Sequence, residues 1–420
     1  MNQTRGADLT APRSVSMDFL DGDRFISANV AWNAARREAN RLGLRVVQPP
    51  PPANEALFKS HVVPTSLWFE DTKVSQSTGK GLGIQAWASG LFEAFEHGAA
   101  TYSLPNQTSP VVSRTLNSSR LEESDLRYRF AVSKRRTRPQ PTVEFENVTT
   151  GERILYPAVA ADFGYQILDQ DFDLLYLDRT CTTKGYAAGH TIADAQIHAL
   201  NELIEHDALS AFMLSPVISS CAPIDISVEG FAPATNVIRI LKSSGASDIA
   251  IVRLPSIAST VIYVWLRAPS GSILTGIGCS SNPMVALLRA LTESHQELVA
   301  DQKGITFLDE GGVSLSNLDR YPVLRSLAIP MRPQSAGRVH IMDLALQEAG
   351  RPQDPSGKLQ ENGIDCLRRV IFETSSVVVI QVLTPQLERF AELVFGRPIV
   401  PTGRLASPGL VKILTAKEIE

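Results

Sequence analysis

Residues 79–100 read GKGLGIQAWASGLFEAFEHGAA. From Gln85 the residues are small or apolar (Ala86, Trp87, Ala88, Leu91, Phe92, Ala94, Phe95), a composition that predicts a packed helix. Two carboxylates interrupt it, Glu93 and Glu96. Residues three apart share one helix face, so they form a two-pronged acidic fork. A fork on a solvated helix signifies little. Amid apolar flanks it is different, because sheltered carboxylates are costly unless paired with cations or hydrogen-bonded.

The design recurs. Residues 185–208, GYAAGHTIADAQIHALNELIEHDA, repeat the glycine-rich lead-in and alanine-rich helix, with a second fork at Glu202 and Glu205. A histidine follows each fork, His97 in one copy and His206 in the other. Residues 276–300, GIGCSSNPMVALLRALTESHQELVA, carry Glu293 and Gln296 on the same plan. Two forks facing each other would gather four negative charges, which lysines offset only in part. Hard divalent cations would offset them better, and Mg2+ binds through one or two carboxylates plus substrate phosphates. Lys80, between Gly79 and Gly81 on flexible backbone, is placed to meet a phosphate. The stretch is not a Walker A loop: the upstream glycine is missing, and Gly81 stands where Ser or Thr belongs. The residues thus point to a magnesium–nucleotide site built from repeated helices.

The rest of the chain sets the frame. Its 420 residues suffice for one large domain or two ordinary ones, and 44% hydrophobic with 20% charged residues is a globular composition. A net charge of −4 gives no reason to expect a nucleic-acid partner. Cys181, Cys221, Cys279 and Cys366 are too scattered for a CxxC pair and too few for a disulfide scaffold. The opening MNQTRGADLTAPRSVS lacks the apolar core of a signal peptide, and no run reaches the roughly 18 apolar residues of a membrane span. A cytoplasmic protein without a membrane partner is expected. Residues 1–16 read as a flexible tail and 17–420 as one domain. Within 23–44, Ile26, Val30, Trp32, Ala35, Ala39 and Leu42 recur at helical spacing. QPPPPANE at 48–55 reads as a stiff connection, and the polar stretch 103–153, with SKRRTRPQPT at 133–142, as an exposed insertion. SDIAIVRL (247–254), STVIYVWL (259–266) and SVVVIQVL (376–383) are β-branched runs of strand length. Strands alternating with helices predict a mixed α/β (α+β) fold of repeated helix-plus-strand units.

The three stretches also carry a resemblance. TGKGLGIQAWASGLFEAFEH resembles the GKG…AxxSxxxExxER segment of YcaO-domain proteins. GYAAGHTIADAQIHALNELIEHDA is similar to their NGxAxGNT…ExxERDA signature, and ALLRALTESHQ to RAxTExxQ, all in family order over roughly residues 20 to 410. The resemblance implies a YcaO-type fold around an ATP site and an ATP- and Mg2+-dependent enzyme. Such an enzyme phosphorylates a peptide backbone amide oxygen once a nucleophile has attacked the carbonyl carbon. A neighbouring Cys, Ser or Thr side chain then gives an azoline, and external sulfide gives a thioamide. Phosphorylation matters because the amide oxygen is otherwise a very poor leaving group, and metal ions and cationic side chains stabilise the developing charge.

Carried over by motif, Glu93, Glu96, Glu202 and Glu205 would hold Mg2+. Ser89 would line the nucleotide site, Arg289 would contact phosphates, and Glu293 and Gln296 would complete the pocket. Lys80 and, ahead of the first helix, Arg24 would be basic phosphate contacts. His198 takes a nucleotide-facing position. Three departures stand out. His97 and His206 replace the arginine after each fork, and His206 could supply its charge only when protonated. His190 replaces an asparagine. The chain closes on VKILTAKEIE rather than the proline-rich PxPxP of azoline-forming members, which favours general amide activation over cyclodehydration specifically. The expected partners are a ribosomally made precursor peptide, an ocin-ThiF-like or TfuA-like protein that presents it, and a second copy in a homodimer. The alternatives are an accessory factor for methylthiolation of a ribosomal protein, and a degenerate scaffold that binds peptide or nucleotide without turnover.

Overall fold

The computed structural model describes residues 26–51, 59–107, 109–116, 118–135, 138–167, 174–178, 180–218, 222–305, 315–348 and 354–416. The tail 1–16 and Arg24 lie outside the described residues, as do parts of the stretches 48–55 and 133–142.

Three sheets and their covering helices make a mixed α/β fold. Strands β1 (Leu44–Val47), β2 (Ser60–Phe69) and β3 (Thr72–Leu82) form an antiparallel meander. A six-stranded sheet contains β4 (Val112–Arg114), β5 (Gln140–Asn147), β6 (Arg153–Pro157), β7 (Tyr186–Gly189), β13 (Leu367–Glu373) and β14 (Val378–Leu383). Its order is β4-β5-β13-β14-β7, with β6 also on β5. A five-stranded sheet, ordered β11-β10-β9-β8-β12, is built from β8 (Ile224–Ser227), β9 (Ser247–Leu254), β10 (Thr260–Arg267), β11 (Ile273–Ser280) and β12 (Arg338–His340). The three β-branched runs singled out in the sequence are β9, β10 and β14.

The repeat is structural. Each acidic helix directly follows a strand that carries glycine near its end: β3 precedes Gln85–Ala100, β7 precedes Ile192–Leu214, and β11 precedes Pro283–Gln302. Glycine is needed because strand and helix meet backbone to backbone. A Cβ on Gly79 would lie 2.1 Å from the Ala86 carbonyl oxygen, and one on Gly276 would lie 2.2 Å from that of Ala290. The second helix starts with a capping box between Thr191 and Asp194, and the third with an Asn282 cap followed by Pro283 at the first helical position. Their apolar faces enter separate cores, Leu91 and Phe95 in one, Leu200 and Ile204 in a second, Leu287 and Leu291 in a third.

Three expectations are corrected. Lys80 does not sit on flexible backbone. It belongs to β3, paired opposite Val62, and its flanking Gly79 serves the helix contact. The stretch 103–153 is not an exposed insertion: it supplies β5, paired to β13, and buries Tyr128, Val143 and Phe145 in a core of their own. Its polar appearance reflects residues such as Asp125 and Arg127, which are buried against each other. In the first helix, Ala28–Arg41, Val30 points outward and is 54% exposed. No helix among the described residues is long and apolar enough to cross a membrane.

Candidate functional site: an acidic cavity between three helices

A cavity of about 830 Å³ opens where the three acidic helices converge. That volume is within the range of small-molecule and cofactor sites. Both prongs of both forks line it, Glu93 and Glu96 from the first helix and Glu202 and Glu205 from the second. The i, i+3 spacing that suggested a shared face thus delivers four carboxylates to one space. Ser89, Lys80, His190, His198, His206, Arg289 and Glu293 line the same space. Gln296 does not: it is buried and donates from Nε2 to the Thr78 carbonyl at 3.0 Å, tying the third helix to β3. His97 bonds the Gln76 carbonyl through Nδ1 at 2.9 Å, and it too lies outside the cavity lining.

The charges are interlocked. Lys80 Nζ lies 2.6 Å from Glu293 Oε2. Burial disfavours its charge, but Glu293, backed by Glu93 and Glu205, outweighs that and raises its pKa. Arg289 directs two guanidinium nitrogens at His198 Nδ1, each at 3.3 Å, so that Nδ1 is an acceptor. His190 Nδ1 donates to the Ser376 carbonyl at 3.0 Å. Glu93, Glu96 and Glu205 are held away from their ordinary ionisation. Burial raises Glu93, with Glu202 adding to it against His97 and Lys80. Burial, Glu202 and Glu93 raise Glu96 further. Burial and repulsion from Glu293 push Glu205 up to about 8, against the pull of Arg289 and Lys80.

His206 is another matter. Its Nδ1 is 3.9 Å from Glu392 Oε1, and burial, Lys184 and Arg389 drive its pKa well below the usual histidine range. That direction disfavours the charged form on which the expected pH-dependent phosphate contact depends. Asp207, next in the chain, turns away from the cavity: fully buried, it accepts from Arg404 Nε and the Glu388 amide, each at 2.9 Å.

Lys184 and Glu297 are among the cavity residues that escaped the sequence reading. Lys184 stands one position before the second glycine-led stretch and pairs with Glu202; the lysine–glycine step it shares with Lys80-Gly81 is a signal that could have found it. Glu297 follows Gln296 by one residue, and burial and Glu293 push it up to about 7. The fork spacing pointed to 296 for the third helix, whereas one further step round the helix carries the cavity acid.

Among the described residues, no three acid, histidine or cysteine side chains converge closely enough to hold a metal alone. Magnesium needs only one or two carboxylates once phosphates supply further oxygens. The hard oxygen donors fit, and a cation among them would offset the burial and the mutual repulsion that raise Glu96 and Glu205.

Fold and site together define an α/β protein whose three repeated strand–helix units share one acidic cavity. The chain belongs to the YcaO family: the family's sequence model, described as YcaO cyclodehydratase, ATP- and Mg2+-binding, matches residues 78–395. ATP and Mg2+ are accordingly its cofactors. Sequence comparison with curated proteins gives no match. Solved structures share the fold at low identity. YcaO from Methanopyrus kandleri bound with AMPPCP and Mg2+ superposes with a TM-score of 0.63 at 19% identity, over 93% of this chain and 97% of that one. A heterocyclase in complex with substrate and cofactor gives 0.62 at 16%, over 87% of this chain and 53% of the heterocyclase. The Escherichia coli microcin synthetase McbBCD complex gives 0.56 at 15%, over 82% and 88%.

Proposed function

We propose that this protein uses ATP and Mg2+ to activate a backbone amide of a ribosomally synthesised peptide, yielding an azoline or a thioamide. The observation that carries the reading is the convergence of both acidic forks, Lys80 and Arg289 on one cavity. Bound ATP with its Mg2+ supplies the phosphoryl group that turns the amide oxygen into a leaving group. The residues of this chain would do the positioning. Glu93, Glu96 and Glu205 would supply the one or two carboxylates that each metal ion needs, with Glu202 at their side. Arg289, aligned by His198, and Lys80, fixed on β3, would hold phosphate oxygens as fixed cations that need no reorganisation. Ser89 and His190 would border the nucleotide, and Glu293 would keep Lys80 in place. Away from the acids the cavity wall is apolar, with Met213, Leu327, Ile329, Met331 and Phe395, and would receive the peptide. A partner protein would present that peptide, and two copies would pair as a homodimer.

The neutral state of His206 favours a second reading, in which the chain binds nucleotide or peptide without turnover. Calorimetric titration of Mg–ATP separates the readings from failure of the site itself. Wild type should bind, and Glu93→Gln and Glu205→Gln should each weaken binding at least tenfold, about 1.4 kcal/mol. Equal affinity in all three proteins would sink the site assignment. Phosphate release with candidate peptides then distinguishes enzyme from scaffold. The mass of the product, water lost or oxygen exchanged for sulfur, distinguishes azoline from thioamide; no phosphate release would leave the scaffold reading, or an accessory role in methylthiolation of a ribosomal protein.

A further inference from the structure

Glu202 differs from a free ligand in one respect. Lys184 Nζ lies 3.1 Å from its Oε1, and the Gly185 amide donates to its Oε2 at 2.9 Å. Both oxygens are engaged by the chain itself. The backbone that carries the lysine is pinned as well. The Val382 amide donates to the Gly185 carbonyl at 2.7 Å, and Gly185, with φ +86°, leaves only 2.3 Å between a would-be Cβ and the Val382 oxygen. The ammonium therefore starts from a fixed point beside the fork and reaches into the cavity with a permanent positive charge. Glu392 flanks it in a small adjoining void that Lys184, His206 and Arg389 also border.

Resting on the Mg–ATP reading above, we infer that the Lys184 ammonium takes the place of a divalent cation at Glu202, so that the cavity loads one metal ion fewer than its carboxylates would otherwise hold. An ammonium supplies charge without demanding coordination. Magnesium requires near-octahedral oxygens at about 2.0–2.1 Å and would have to share a carboxylate oxygen with a neighbouring cation. Each Glu202 oxygen keeps a second lone-pair site, but a divalent cation placed there would sit against the lysine's charge at close range, which opposes metal entry while the lysine stays. The pinned backbone and the second acid, Glu392, hold the lysine in place. Glu93, Glu96 and Glu205 remain for the metal that accompanies the nucleotide.

The test counts ions. Bound Mn2+ per chain is measured by electron paramagnetic resonance with saturating AMPPCP, for wild type and for Lys184→Met, which keeps the length and removes the charge. One additional Mn2+ in Lys184→Met is expected. An equal count overturns the inference even if the variant binds Mn2+ more tightly, since loss of any nearby positive charge tightens binding. A second measurement uses wild type alone, should the variant fold poorly: acetic anhydride labelling of Lys184, read by mass spectrometry, should not change when Mn2+ and AMPPCP are added. Increased labelling on loading would mean that metal expels the lysine, and overturns the inference. If folded wild type and Lys184→Met both bind neither Mn2+ nor AMPPCP, the Mg–ATP reading itself fails and the inference falls with it.

Discussion

Lys80 on β3 and Glu293 on the third acidic helix are joined by a 2.6 Å ion pair across 213 residues of sequence. The pair connects the first and third repeat units at the cavity. It also makes Lys80 part of a fixed lattice of charge rather than a loop residue awaiting a phosphate.

Removing that lysine should therefore damage binding more than folding. Both partners remain partly open to solvent, so the pair itself contributes little stability. Lys80→Met is expected to weaken Mg–ATP binding at least tenfold by calorimetry, while its melting temperature stays within a few degrees of wild type. A melting temperature that collapses alongside binding would assign Lys80 a structural role instead.

Glycine substitutions should do the reverse. A methyl group on Gly79 or Gly276 meets backbone atoms that cannot rotate away, at 2.1 and 2.2 Å. Gly79→Ala and Gly276→Ala should each cost about 2 kcal/mol or more, by analogy with overpacked cores, in chemical denaturation. Gly271→Ala, with open space around its Cβ but φ at +89°, should cost less.

The acids give a signed pH dependence. Glu205 is pushed up to about 8 and Glu297 to about 7, so the folded chain carries protons there that the unfolded chain, near 4.5, has already lost. Stability of the ligand-free protein should then fall as pH rises from about 5 to 8, because the unfolded state binds fewer protons. Metal requires the ionised carboxylate, so Mg–ATP binding should release protons at pH 7 and tighten towards pH 8.5. Calorimetry in buffers of different ionisation heat reads the proton count. Proton release that is nil at pH 7 would contradict the raised values.

His206 should be silent over the same range. Burial and the charges of Lys184 and Arg389 keep it neutral, so its ring proton resonances should not titrate between pH 5 and 8. His206→Gln should retain nucleotide affinity within about threefold. A titration midpoint near 6.5 in the NMR spectrum would restore the phosphate role that the motif suggested.

How far the sequence could be read is visible in these residues. The forks, the glycine lead-ins and strands β9, β10 and β14 were legible because local periodicity and composition determine them. Lys184 and Glu297 were missed because each sits one residue outside its motif: the lysine–glycine step shared with Lys80 hinted at the first, but the packing is what shows that both face the cavity. The stretch 103–153 misled because its charges neutralise one another inside the fold: Asp125 and Arg127 look like surface residues in one dimension. Lys80 was found for the right chemistry on the wrong backbone. Gly79 signalled a close helix contact, and in sequence that cannot be told from flexibility.

The strand–helix units have a mechanical consequence. Each is locked internally by backbone contact, and the third is stitched to its neighbours by polar side chains, through Lys80 and Gln296 to the first and through Arg289 to His198 on the second. Between the first and second units stand the two forks, where burial and mutual repulsion hold Glu93 and Glu96 above the ordinary carboxylate range and the Ala188 backbone hydrogen-bonds Glu96 across the seam. Cations that enter with the nucleotide would sit at that seam, so loading is expected to tie the first unit to the second as polar side chains already tie the third to both.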